Sequence, residues 1–437
     1  MNPIDGGGDG AAGSGGSGGT GGMGGMGGSG GMGGTGGSGV DAGFISIGRG
    51  TAMEQETHVQ ADPSGKVVVA WIAVYGGYSG NGYNVSHDKG ATWMTTPGEQ
   101  DSPTPQIGSD PSLAVDSQGN FYLSWVGYEQ QGGNPSATNM HIYVSKMAVG
   151  SDTFAAAVPV SDDGSPNTSQ LDKPWIFVDN SNAVLVFWTD FGTDLLKVAR
   201  STNGFATMPT AAIVGGGDVP SSFGNLMFPC QDPAGGPNAP IFVVYIQSHT
   251  VRVRKSVNSG MAWANPSTAL PATDAVFQMP GCATQGQNLW VVYAQGTGMF
   301  TSQMAPSGDA MMIAHSTNGG TSYTATPLSD GAAGTQYLNP AIALSSSGAL
   351  QATYLQGIMG SAPRQLVRAV STDGGSSWMR TVEFSSAGPM TFERGSLSWP
   401  GDYIGLTING SDVYAVFGDA SALSQHDHIR FLHTTTP

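Results

Sequence analysis

Charge is what this chain has least of. Only 11% of its residues are Asp, Glu, Lys or Arg, and 31 acidic residues face 15 basic ones, for a formal net charge of −16. Nucleic acids and anionic membranes are recognised through clustered Lys and Arg, so neither is expected as a partner. A strongly anionic polysaccharide would likewise need a local Arg cluster or a metal to compensate. Long apolar runs are also missing. No hydrophobic signal core follows Met1, and no segment is long and apolar enough to read as a transmembrane span. Helical periodicity is absent as well, which leaves short alternating segments punctuated by Gly, Ser, Thr and Asn: the pattern of an all-β domain. Cysteine occurs twice, at Cys230 and Cys282, and two thiols without spaced histidines do not read as a structural zinc site.

Glycine is abundant, and unevenly placed. Residues 1–40 are nearly all Gly with Ser, Thr, Met and Ala. Such a stretch buries too little to offset its ordering entropy, so it is expected to be a flexible tether ahead of one folded domain spanning 41–437.

Within that domain a short phrase recurs. Ser86-His87-Asp88-Lys89-Gly90 ends in Trp93, and Ser371-Thr372-Asp373-Gly374-Gly375 ends in Trp378. Copies with Asn in the third place begin at Ser201, Ser256 and Ser316, and carry Asn203, Asn258 and Asn318. In the Ser201 copy Met208 stands where the others have an aromatic. Each phrase follows an alternating apolar segment, so it reads as a hairpin turn. Asp or Asn accepts turn N–H groups, Gly supplies a positive φ, and the aromatic packs back over the hairpin. A second unit of strand, turn and strand runs from His58 to Trp71, Asp110 to Trp125, Asp172 to Trp188, Met227 to Tyr245, Met279 to Tyr293, Asn339 to Tyr354 and Asp402 to Phe417. Seven such units predict a propeller of seven four-stranded blades, with six as the alternative count. The seventh unit runs out of chain before a fourth strand, and Phe44-Ile45-Ser46-Ile47 is placed to supply it and close the ring.

The Ser-x-Asp/Asn-x-Gly phrase resembles the Asp-box, or BNR, repeat of sialidase-like β-propellers. Asp172-Lys173-Pro174-Trp175 and Gly401-Asp402-Tyr403-Ile404-Gly405 resemble phrases of secreted bacterial proteins of that kind. The resemblance implies an exported or cell-surface protein. The Gly-rich segment is similar to the stalks of bacterial surface lipoproteins, whose signal and anchoring Cys would precede Asn2-Pro3-Ile4-Asp5. Cys230 and Cys282 fall at near-equivalent places on neighbouring inner strands. They are expected either to form a disulfide, which suits an oxidising compartment, or to remain buried thiols.

The resemblance does not extend to sialidase chemistry. That family clamps a substrate carboxylate with three Arg, the first in a Phe/Tyr-Arg-Ile-Pro phrase. Here the region reads Ile47-Gly48-Arg49-Gly50-Thr51, and nothing singles out Arg252, Arg254, Arg364, Arg368 or Arg394 as a clamp. Exo-sialidase activity is therefore not expected.

In a propeller the start of each innermost strand faces the channel mouth. Glu56, His58, Asp110, Asp172, Asp402 and Tyr403 occupy that position and are the candidate catalytic residues, since paired carboxylates in a desolvated cleft divide into acid and base. Asn339 holds the place in the sixth unit. The same oxygens of Asp110, Asp172 and Asp402 suit a hard cation such as Ca²⁺, and they serve equally well as turn caps or ties between blades. Lys173, Trp175, Arg394, Trp399 and Tyr403 are the candidate binding residues, the aromatics as stacking faces for sugar rings. Two further features carry less. His426 and His428 share one strand face, and the methionines of 299–312 are too irregular for a copper site. Together these readings point to a surface-tethered propeller, monomeric or surface-assembled, that binds or scaffolds a glycan or another envelope component. No cofactor is required, though Ca²⁺ is possible. A glycoside hydrolase or polysaccharide lyase using the channel-mouth carboxylates is the alternative.

Overall fold

In the computed structural model, residues 44–48, 53–75, 78–100, 106–131, 134–161, 171–193, 195–206, 212–215, 226–247, 249–264, 268–270, 275–276, 278–296, 308–358, 361, 363–386, 400–419 and 428–436 are described. The Gly-rich segment 1–40, Arg49, Met208, Arg394, Trp399 and His426 lie outside them, as does the side chain of His428.

Seven antiparallel four-stranded sheets form the blades of a propeller, and no helix occurs among the described residues. The innermost strands of blades 1 to 7 are Met53–Ala61, Gln106–Val115, Leu171–Val178, Met227–Gln231, Gly281–Gln285, Gln336–Leu344 and Gly405–Asn409. Blade 7 takes its outermost strand from the other end of the chain. Phe44–Ser46 pairs antiparallel with His428–Thr435, Phe44 opposite Leu432. The count of seven and the closure by the N-terminal strand are as the repeats imply.

Each blade sets one aromatic on its second strand: Trp71, Trp125, Trp188, Tyr245, Tyr293, Tyr354 and Phe417, all at most 1% exposed. Burying side chains of this size contributes on the order of 3 kcal/mol each, and the repeated position is the reason the blades stack alike. A disulfide between Cys230 and Cys282, with Cα atoms 5.9 Å apart, joins the inner strands of blades 4 and 5.

The Ser-x-Asp/Asn phrases lie at the turns leading out of the third strands, as in Tyr78–Ser86 before Gly98–Gln100. In the first copy Ser86 Oγ donates to Asp88 Oδ1 at 2.8 Å and accepts the Gly90 N–H at 2.8 Å, while Asp88 Oδ1 accepts the Thr92 N–H at 2.7 Å. Thr92 Oγ1 also donates to Asp88 Oδ2 at 2.6 Å, and this bond first, then the others, holds the Asp88 carboxyl down at about 2. Two successive residues, not one, take positive φ in each copy: Lys89 and Gly90 at 61° and 89°, Gly374 and Gly375 at 72° and 89°. The aromatic reaches beyond its own hairpin. Trp93 bonds the Gly90 carbonyl and meets Phe431 of blade 7 edge-on, centroids 4.8 Å apart. In the Ser201 copy the second positive-φ place is filled by Phe205 (φ 63°), whose ring is buried between blades 2 and 3.

Candidate functional site

The inner strands share a local irregularity that builds the site. In blades 1, 2, 3 and 6 the register slips between Gln55 and His58, Ser109 and Ser112, Asp172 and Trp175, and Leu338 and Ala341. At each bulge a non-glycine residue takes positive φ: Glu56 (53°), Asp110 (55°), Lys173 (49°) and Asn339 (52°). A bulge re-aims one side chain out of the strand's alternation, and left-handed backbone in these residue types is strained. The pairings His58–Ala70, Ser112–Ser124, Trp175–Phe187, Phe228–Val244, Gly281–Val292, Ala341–Thr353 and Gly405–Val416 define one ring around the channel. Counting back two residues gives the ring above it: Glu56, Asp110, Lys173, Leu226, Met279, Asn339 and Tyr403.

That upper ring divides by chemistry. On the side of blades 1 to 3 and 7, Lys173 Nζ bonds Asp110 Oδ1, reaches Asp402 Oδ2 at 2.8 Å and Glu56 Oε1 at 3.4 Å. Three carboxylates from three other blades therefore converge on one ammonium, and all four side chains are buried, at most 6% exposed. Asp172 is partly exposed beside them, and its Oδ1 accepts the Lys173 N–H at 2.8 Å. On the opposite side Leu226 and Met279 form an apolar patch with Trp175, Phe228 and Tyr403. Trp175 packs edge-on against Tyr403 at 5.4 Å and against His58 at 4.7 Å. Tyr403 donates its hydroxyl to the Pro111 carbonyl at 2.9 Å. Trp175 and Tyr403 are 4% and 3% exposed, so both rings plug the channel.

One ammonium among four carboxyls makes the cluster take up protons. Burial raises Glu56 well above the usual carboxylate range, neighbouring Asp110 adds to this, and Lys173 only partly opposes it. Burial also pushes Asp172 up to about 8, with Lys173 pulling the other way and Asp110 adding to the rise. For Lys173 burial acts downward, but Asp110, Asp402, Glu56 and Asp172 together hold it well above the ordinary lysine value. Burial drives His58 down to about 3, so it is a neutral imidazole, and its Nδ1 accepts the Leu113 N–H at 2.7 Å. Chemically, Asp172 is a carboxylic acid able to stay protonated near neutrality. The Lys173 ammonium stands where the surrounding oxygens would otherwise meet a hard cation. Among the described residues no group of three or more His, Cys, Asp or Glu is arranged to hold a metal ion.

Two further residues, Asn339 and Gly401, hold the site to its frame. Asn339 donates its side-chain NH2 to the Gly401 carbonyl at 2.9 Å and its backbone N–H to Gln278 Oε1 at 2.9 Å, and the first bond ties blade 6 to the segment carrying Asp402. Gly401 (φ 87°) must be glycine because a Cβ there would lie 2.5 Å from the Glu56 backbone nitrogen. The hairpin alignment itself is the signal for Asn339, Leu226 and Met279. Of the arginines, Arg254 donates to Ala264 O at 3.0 Å and Arg368 to Glu383 at 2.6 Å, each within its own blade.

No family model matches the chain, and no curated protein matches it. Solved structures do. A Hadza microbial sialidase is 11% identical with a TM-score of 0.52, over 88% of this chain and 66% of that one. A protein of unknown function from Dyadobacter fermentans is 12% identical with a TM-score of 0.51, over 91% and 98%. An alpha-L-arabinanase of Penicillium chrysogenum is 11% identical with a TM-score of 0.47, over 89% and 97%. The chain thus spans just under two thirds of the length of that sialidase. At such identities the likeness is one of architecture: the protein has a sialidase-like β-propeller fold.

Proposed function

We propose that the protein is an exported, surface-tethered propeller that binds or scaffolds a glycan or another envelope component, and does not turn it over. The observation that carries this reading is the state of the carboxylates. Glu56, Asp110 and Asp402 are buried around Lys173, a tie between four blades, where a hydrolase needs two carboxyls free on either side of a scissile bond. Residues 1–40 serve as the tether, and the Cys230–Cys282 disulfide suits an oxidising compartment. Among the described residues no helix is long and apolar enough to cross a membrane. Likeness in fold to a sialidase supports a glycan as the ligand class.

One observation favours a second reading. Asp172, partly exposed and pushed up to about 8, has the protonation state of a general acid, which is what a glycoside hydrolase or lyase would require. A glycan array with the purified protein, run beside assays for reducing-sugar and unsaturated-uronate release, separates the two. Binding without release is the expected result. Release that disappears in both Asp172→Asn and Asp402→Asn, with folding intact, would establish catalysis instead.

A further inference from the structure

Below the Trp175 plug the channel opens into a cavity of about 320 Å³ on the face that carries the inner-hairpin turns. This volume lies in the range of small-molecule sites. The walls come from the innermost strands of all seven blades, and among the described residues not one that lines it is Asp, Glu, Lys or Arg. A charged ligand would lose its hydration there with no counter-charge to replace it. At the inner end stand His58, Trp175 and Phe228, and Gln60, Thr284 and Thr407 line the sides. With Nδ1 of His58 accepting from Leu113, its proton sits on Nε2, and that N–H has no acceptor among the described residues. The side chain is 5% exposed. The Gln60 amide accepts the Thr407 hydroxyl at 3.4 Å through Oε1, and its NH2 likewise has no acceptor among the described residues. Two donors, an aromatic end and uncharged walls therefore face one volume.

We infer that this lower cavity is a binding site for a neutral molecule of monosaccharide size that presents a carbonyl or acetamido acceptor to His58 and Gln60 and its apolar side to Trp175 and Phe228. The site is separate from the Lys173 cluster and independent of whether the mouth binds glycans.

N-acetylglucosamine is a suitable probe and glucuronate its charged counterpart. Saturation-transfer NMR on the full chain is expected to show binding of the first and not of the second. Ala343 lines the cavity and makes none of the bonds named above, so Ala343→Phe fills the space without removing a donor. It is expected to weaken probe binding at least about tenfold while the thermal midpoint holds. The disulfide borders the same cavity, so bound probe should slow its reduction by a thiol reagent in the wild type, and not in Ala343→Phe. His58→Phe removes the donor while keeping an aromatic, and should weaken binding comparably. Absence of binding by the neutral probe, equal binding of glucuronate, or binding untouched by Ala343→Phe would each overturn the inference, the last by placing the probe elsewhere.

Discussion

Lys173 is the residue on which most of the buried charge depends. Replacing it with Met would leave Glu56, Asp110 and Asp402 without their cation, and breaking a buried ion cluster from one side costs about 3–5 kcal/mol. Lys173→Met is therefore expected to lower the denaturation free energy by that amount. Adding Glu56→Gln and Asp110→Asn should restore a good part of it, because neutral amides no longer require the ammonium. The same cluster sets a pH dependence. Asp172 in the folded protein titrates at about 8, against an ordinary carboxylate value of 3.8. The folded state thus holds a proton that the unfolded chain has lost, and stability falls as pH rises from about 4 to about 8. His58 works from the other side: held down at about 3 from 6.5, it lowers stability as pH falls through that window, because the unfolded chain takes up the proton first. Denaturation midpoints measured against pH should show Asp172→Asn flattening the alkaline limb and leaving the acid limb unchanged. That Glu56, Asp110, Lys173 and Asp402 would gather at one end of the channel was legible in the sequence, since the hairpin repeat puts them in register. Which of them would sit at the centre was not. Spacing orders residues around a ring, and only packing decides that the longest cationic side chain fills the middle.

At the scale of strands and turns, positive φ decides more than residue type. Gly90 and Gly374 both lie in the left-handed region, at 89° and 72°, so alanine is strained at either. They differ in space. A Cβ on Gly90 would fall 2.2 Å from the Phe431 ring, whereas one on Gly374 meets nothing within 4 Å. Gly374→Ala is expected to cost about 1 kcal/mol, and Gly90→Ala clearly more, because it also pushes blade 7 off blade 1. Urea denaturation of the two variants checks the order, and equal costs would mean that the interblade contact is soft. The turns were readable because a five-residue phrase carries its own hydrogen-bond chemistry. Phe205 was not, since a bulky residue at φ 63° breaks the local rule. It is held there because its ring completes the core between blades 2 and 3. The bulges escaped notice for a related reason. Asp110, Lys173 and Asn339 each precede proline, which ordinarily steers a residue to extended backbone, so the left-handed turn that aims them into the channel has no sequence signature of its own.

For the whole molecule, the question is what keeps a ring of seven weakly charged blades shut. Blade 7 is shared between chain ends, with Phe44–Ser46 as its outermost strand. It is held to blade 1 by Thr57 donating to the Val416 carbonyl at 2.8 Å, by Lys89 to Asp412 at 2.8 Å and by the Trp93–Phe431 contact. Across the ring the disulfide closes a 52-residue separation between blades 4 and 5, and a crosslink of that span stabilises by about 2–4 kcal/mol. These two clasps guard different seams, so their losses should add, as distant sites do. Removing residues 1–40 takes away only the proposed tether and should leave the thermal midpoint unchanged. Removing 1–47 deletes the closing strand and exposes the edge of His428–Thr435, so it should lower the midpoint and promote association through that edge. Cys230→Ala with Cys282→Ala should lower it as well, and the combination with the 1–47 deletion should cost the sum of the two. Calorimetry on the four proteins decides the matter. A combined loss well beyond the sum would mean that the seams open together, and that the propeller unfolds from a single break.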